Sequence, residues 1–205
     1  MTAHPKPYIT EAMYLELERN SIDKHEYYAG EIYAMTGASE QHNLIAMNLG
    51  ASLHSQLRGR PCRVYPSDMR VKVLQTGLNT YPDLAVVCGT SQFTEDKRDT
   101  LINPTVIIEI LSPSTERYDR GMKFQHYRGI ETLQEYILVA QDEHHIERFA
   151  RQDHSNEWLF SEAVGLEASL FVPSIKVTLA LSDVYEQVLL PDAPLKLPHS
   201  TTEVE

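Results

Sequence analysis

Apolar residues recur along this chain with two different periods. The helical period is clearest after Gly37-Ala-Ser39, where Ile45, Leu49 and Leu53 repeat every four residues through Leu57. Ser39 is the predicted N-cap, and Gly59-Arg-Pro61 ends the helix. A shorter helix is predicted over 10–17, with Thr10 as N-cap and Glu11 near its positive end. Another is predicted over 119–128, stopped by Gly129, and a last one over 183–189, capped by Ser182. Strand patterns fill most of the remainder. The stretch 26–30 ends in a turn signal at Gly30, and a strand follows at 31–35. Further strands are predicted at 62–65 and 69–74, with Gly77 and Asn79 as a turn, and at 145–150, 157–160 and 175–179. Residues 89–103 read as a polar loop. From Pro191 onward, three prolines and a polar end predict a poorly ordered tail over 191–205.

Three runs are apolar without alternation: Leu84-Ala-Val-Val87, Pro104-Thr-Val-Ile-Ile-Glu-Ile-Leu-Ser112 and Glu135-Tyr-Ile-Leu-Val-Ala140. Such runs are expected of strands covered on both faces. The order of elements therefore predicts one mixed-sheet α/β domain over 1–190, with additional antiparallel strands toward the C-terminus.

Glu109 interrupts the second run. The strand period of two puts it on the face of Ile107 and Leu111, where a carboxylate is costly unless a cation or hydrogen bonds compensate it. Asp83 opens the run before it. Neighbouring strands lie about 4.8 Å apart, so Asp83 and Glu109 can share one hard divalent ion, Mg²⁺ or Mn²⁺, if their registers match. The third group needed is a cation near the attacking water. Lys123 is the candidate, on the helix that follows the Glu109 strand and on the same face as Tyr127. His42 falls on the inward face of its helix, at one end. His144-His145 has no partner pair at zinc-ligand spacing.

The 205 residues carry a net charge of −11, which excludes nucleic-acid binding through the overall field. Any such contact must be local, and Arg117, Arg120 and Arg128, flanking Lys123, form the candidate phosphate track. No apolar run approaches the roughly 20 residues needed to cross a membrane. The N-terminus has no signal-like segment. Cys62 and Cys88 form no CxxC and are expected to be free thiols of a reducing cytoplasm.

Tyr81-Pro82-Asp83, Glu109-Ile-Leu-Ser-Pro-Ser114, and Asp119 to Lys123 with Tyr127 resemble, in order and spacing, the Uma-type family of restriction-endonuclease-like proteins. Gly30-Glu31, Gly37-Ala-Ser39 with His42, and Ser67-Asp68 fit it too, over roughly residues 10–190. The family belongs to the PD-(D/E)XK nuclease superfamily. The resemblance implies a restriction-endonuclease-like mixed sheet flanked by helices and a Mg²⁺-dependent endonuclease acting on DNA, with RNA as the alternative substrate. It implies Asp83 and Glu109 as metal ligands, Lys123 as the catalytic lysine, and Glu31, His42, Asp68 and Tyr127 in support. A homodimer is compatible with it. The superfamily lysine stands two residues after the second acid, a place taken here by Leu111; the resemblance implies that its role has moved to Lys123. If that lysine is lost rather than moved, the chain is a catalytically inactive nucleic-acid-binding or regulatory module on a nuclease scaffold.

Overall fold

The computed structural model describes residues 8–95, 97–153 and 155–190. Helix α1 (Glu11–Asn20) opens it, and Thr10 Oγ1 accepts from the Met13 amide at 3.3 Å. Strands β1 (His25–Tyr28) and β2 (Glu31–Ala34) form a hairpin. Its two turn residues, Ala29 and Gly30, both take positive φ, the twist that tight hairpins favour. Helix α2 (Glu40–Gln56) follows, and its cap Ser39 accepts from the His42 amide. Next come β3 (Cys62–Pro66), β4 (Arg70–Val73), β5 (Leu78–Thr80), β6 (Leu84–Cys88), β7 (Thr100–Leu101) and β8 (Val106–Ile110).

After β8 the chain coils through α3 (Glu116–Tyr118), a π-helical segment (Asp119–Lys123) and α4 (Phe124–Tyr127). Strands β9 (Glu135–Val139), β10 (His145–Arg151), β11 (Trp158–Val164), β12 (Ser169–Val172) and β13 (Val177–Ala180) lead to α5 (Leu181–Val184). Among the described residues, no helix is long and apolar enough to cross a membrane.

A six-stranded sheet in the order β11-β10-β9-β8-β6-β3 forms the centre. Within it β8 and β9 run parallel, and the other neighbours antiparallel. Both faces are covered, as the unbroken apolar runs require. On one face Val106, Ile108 and Ile110 pack with Ile45, Leu49 and Leu53 of α2. On the other, Ile107 and Leu111 pack with Tyr127 and with Val71 and Val73 of a second sheet, ordered β2-β1-β5-β4-β7. The expected mixed α/β architecture is therefore present, with an extra antiparallel hairpin, β12–β13, near the end.

Several local expectations are corrected. Asn79, expected in a turn, lies inside β5. Part of the 89–103 stretch pairs as β7 with β4. The last helix is a single turn that starts at Leu181, because Leu181 and Val184 are the residues the core covers, and the chain leaves helical geometry at Tyr185. The tail expected to be poorly ordered lies outside the described residues.

The cysteines are the largest correction. Cys62 and Cys88 are 26 residues apart, but β3 and β6 pair antiparallel and set them directly opposite, with Cα atoms 4.0 Å apart and a disulfide between them. Spacing along the chain could not reveal a cross-strand pair, and the argument for a reducing compartment falls with it. Thiol titration of unfolded, unreduced protein should find no free thiol; two free thiols would restore the original expectation. Independently, Leu49→Ala, at a fully buried site under the sheet, should lower stability by about 2–5 kcal/mol in urea unfolding.

Candidate metal and catalytic site

The register of β6 and β8 creates the site. Leu84 pairs with Ile108, so the next step along the ladder sets Asp83 beside Glu109. Two bonds fix that end of the ladder. Asp83 Oδ2 accepts from the Ile110 amide at 2.7 Å, and the Asp83 amide donates to Glu109 Oε2 at 3.4 Å. The approach to Asp83 is braced from below, where the Tyr81 hydroxyl donates to Glu18 at 2.8 Å and receives from buried Arg70 at 3.0 Å.

The helix after β8 delivers the cation. Lys123 Nζ lies 2.8 Å from Glu109 Oε1, 3.4 Å from Asp119 Oδ1 and 3.5 Å from Glu26 Oε1. The Tyr127 hydroxyl donates to the same Glu109 Oε1 at 2.8 Å. An α-helix turns every 3.6 residues, so successive steps of four drift around its surface. The wider π turn counteracts part of that drift, which helps residues 119, 123 and 127 address one target. Single π turns of this kind occur often at functional sites. Toward solvent, His42 Nε2 stands 3.2 Å from Asp83 Oδ2. The side chains of Asp83 and His42 are 17% and 16% exposed, against 4% for Glu109 and 6% for Lys123, so the first two form the mouth of the site.

The electrostatics follow from burial. Removal from water pushes the Glu109 carboxyl up to about 8, with Asp119 and Asp83 adding to the shift and Lys123 opposing it. Burial also raises the Asp119 carboxyl. For Lys123, burial works against the charged form, but Glu109, Glu26 and Asp119 outweigh it and hold the ammonium above its ordinary range. Burial and Glu109 keep the Tyr127 phenol protonated, hence a donor.

Glu26, Glu109 and Asp119 bring three acids to one lysine, and Asp83 stands beside Glu109 as a fourth. Their donors are all hard oxygens, and the four acids outnumber the one lysine. That surplus fits a hard divalent cation.

Not every residue expected at the site reaches it. Asp68 is at the surface, paired with Lys24 at 3.1 Å. Glu31 is exposed at the start of β2, beside the Tyr33 hydroxyl at 3.4 Å. The hairpin carboxylate that reaches Lys123 is Glu26. Arg120 is committed to Glu116 and Glu147, so it adds little to a phosphate track, whereas Arg117 and Arg128 are exposed. His145, Glu147 and Glu162 gather ligand atoms within 4.8 Å of one another on β10 and β11. That surface group is already matched internally, Glu147 by Arg120 and Glu162 by His145 at 2.9 Å.

Glu26 and Asp119 had not been read as site residues. A strand on each side of the Gly30 turn would have placed Glu26 in a hairpin, but nothing local aims it at Lys123. Asp119 had a visible signal, since it stands four residues before Lys123 and eight before Tyr127.

Fold and site together define a restriction-endonuclease-like α/β protein. Residues 11–182 match the family model Uma2, described as "Putative restriction endonuclease", and the chain belongs to that family. Two proteins of Synechocystis sp. are close in length. One, named "Uncharacterized protein slr1290", is 34% identical over 90% of this chain and 97% of its own length. The other, "Uncharacterized protein sll1609", is 32% identical over 82% of this chain and 95% of its own. A solved structure from Anabaena variabilis, described as "a putative nuclease belonging to DUF820", superposes with a TM-score of 0.72 at 22% identity. It covers 88% of this chain and 99% of that one, a likeness of fold.

Glu109 titrates near 8 in the folded chain and at an ordinary 4.5 when unfolded. Between those values the folded state binds the extra proton, so this group's contribution to stability is lost as pH rises through that window. The melting temperature in EDTA should fall from about pH 4.5 to about pH 8. Glu109→Gln should flatten that segment; an unchanged slope would place the titrating group elsewhere.

Proposed function

We propose that this protein is a Mg²⁺- or Mn²⁺-dependent endonuclease that hydrolyses phosphodiester bonds in DNA. The observation that carries the proposal is Lys123 Nζ at 2.8 Å from Glu109, with Asp83 beside Glu109 on the neighbouring strand. A divalent ion supplies charge stabilisation to a phosphate and a bound water of lowered pKa.

Asp83 and Glu109 are the residues that would hold it. Asp83 is already oriented by the Ile110 amide, and Glu109 by Tyr127. Lys123 orients the attacking water or steadies charge on the scissile phosphate, while Asp119 and Glu26 keep its ammonium charged and in place. His42, at the mouth, can hydrogen-bond a substrate oxygen or fix Asp83. The place of Lys123 favours a catalytic role over a binding module that has lost its lysine.

Purified protein with Mn²⁺ or Mg²⁺ should nick plasmid DNA, and EDTA should abolish nicking. Lys123→Met should lower the rate by about 10²–10³-fold, the usual cost of losing one stabiliser of developing charge. Calorimetry should show Mn²⁺ binding lost in Asp83→Ala and retained in Lys123→Met. A folded protein that binds Mn²⁺ but cuts neither DNA nor RNA would rule out the catalytic reading. RNA cleavage without DNA cleavage would reassign the substrate.

A further inference from the structure

Beside the proposed site, a run of aromatic rings leads from the Lys123 helix to the edge of the central sheet. Tyr136 donates its hydroxyl to the Asp119 carbonyl at 3.1 Å, tying the first ring to the site. Phe124, next to Lys123 in sequence, stacks on Tyr136 with ring centres 4.9 Å apart. Phe124 in turn meets Phe149 at 4.9 Å and Trp158 at 5.3 Å, and Phe149 meets Phe160 at 5.4 Å. The pairing of β10 with β11 sets Phe149 opposite Phe160 and Arg151 opposite Trp158, so these four side chains share one face of the sheet. That face is not fully covered. Phe160 is 47% exposed, and Phe124, Phe149 and Trp158 are all partly exposed.

Two guanidinium groups flank the rings. Arg151 lies 4.6 Å over Trp158, and Arg128 lies 5.5 Å over Phe124. Arg151 is fixed by the carbonyls of Leu133, Arg128 and Ile130, whereas Arg128 is exposed. A core extension explains the buried rings. It does not explain an open phenylalanine at the outer end, or a strand edge at β11 beside it. Base faces stack on aromatic rings and guanidinium planes, and the backbone phosphates then meet the cations. Duplex DNA cannot offer its base faces in this way.

We propose that this face is a stacking platform for single-stranded nucleic acid, which it feeds toward the Lys123 helix. This extends the nuclease reading by naming unpaired bases as what the enzyme recognises. Phosphate complementarity comes from the exposed Arg128 and not from the net charge, while Arg151, held by three carbonyls, stays on the Trp158 ring. Of the two acids on the same face, Glu147 is paired with Arg120, and Glu162 hydrogen-bonds the His145 ring at 2.9 Å.

The chain contains one tryptophan, so its fluorescence reports on Trp158 alone. Wild-type protein in EDTA, which prevents cleavage, is titrated with a 15-nucleotide oligodeoxythymidine and separately with a mixed-sequence duplex of the same length. The single strand should quench Trp158 saturably and bind at least tenfold more tightly than the duplex. Phe160→Ala, at an exposed position that leaves the fold intact, should weaken single-strand binding about tenfold, the scale of one lost base–aromatic stack. Arg128→Gln should weaken it and reduce its dependence on salt.

Equal binding of duplex and single strand, absence of quenching, or an unaffected Phe160→Ala variant would each overturn the platform. Cleavage of plasmid with Mn²⁺ is scored separately. A wild type that cuts but shows no quenching sinks the platform alone, and one that binds the oligonucleotide but never cuts sinks the nuclease reading alone.

Discussion

A carboxyl group and an ammonium are buried together between a central strand and the helix after it, and the surrounding structure answers to that pair. An ion removed from water costs several kcal/mol even after the protein relaxes, unless a partner and further hydrogen bonds offset it. Glu109 meets this with Lys123 and Tyr127 on a single oxygen. Lys123 meets it with Glu109, Asp119 and Glu26. Loss of either central partner leaves the other charge uncompensated. Replacing both with apolar residues is the tolerable change for a scaffold with no use for charge. That this chain keeps ionisable groups here, and sets Asp119, Glu26 and Asp83 around the Glu109–Lys123 pair, is the physical basis for reading the place as a site and not as a packing accident.

The geometry depends on a short connection. Only residues 111–115 separate β8 from α3. The Thr115 amide donates to Ser112 Oγ at 3.2 Å, and the Glu116 amide to the Ser112 carbonyl at 2.9 Å, so the chain reverses within one turn. The helix is thereby returned over the strand it has just left. The π turn then carries Asp119 and Lys123 inward, and both are buried. On the far side, the small five-stranded sheet contributes Glu26 from β1, and Thr80 of β5 donates its hydroxyl to that carboxylate. Three separate elements therefore converge on Lys123, and the disulfide between β3 and β6 braces the strand that carries Asp83 at its other end.

The parts of this arrangement that were legible in the sequence are those governed by local period. The α2 helix follows from Ile45, Leu49 and Leu53, and the doubly covered strands follow from unbroken apolar runs. Glu109 stood out because it broke one of them, and its face, shared with Ile107 and Leu111, follows from the strand period. What stayed hidden depends on pairing across the chain. No pattern near Cys62 points to Cys88, and none near Glu26 points to Lys123. Asp68 and Glu31 show the same dependence in reverse: each is an acid close in sequence to a site element, but the turn before β4 leaves Asp68 exposed and the first position of β2 leaves Glu31 exposed. The helix at 183–189 failed because the polar cap signal of Ser182 was outweighed by the burial of Leu181 one residue earlier.

An acidic protein that handles a polyanion must rely on contacts closer than the reach of its own field. At physiological salt that reach is about 8 Å, so the net charge slows encounter but does not govern what happens at contact. Many of the basic side chains are committed elsewhere. Arg19 and Lys72 pair with acids, and Arg60 and Arg63 donate to backbone carbonyls. These four side chains therefore add little to a phosphate-binding surface. Short-range terms remain: hard oxygens suited to a divalent ion, one confined ammonium, and exposed ring faces. In the proposed reading the first two act on the scissile phosphate, and only the last tells a paired base from an unpaired one. Selection among nucleic acids by such a protein then falls to the shape of the strand and not to its charge.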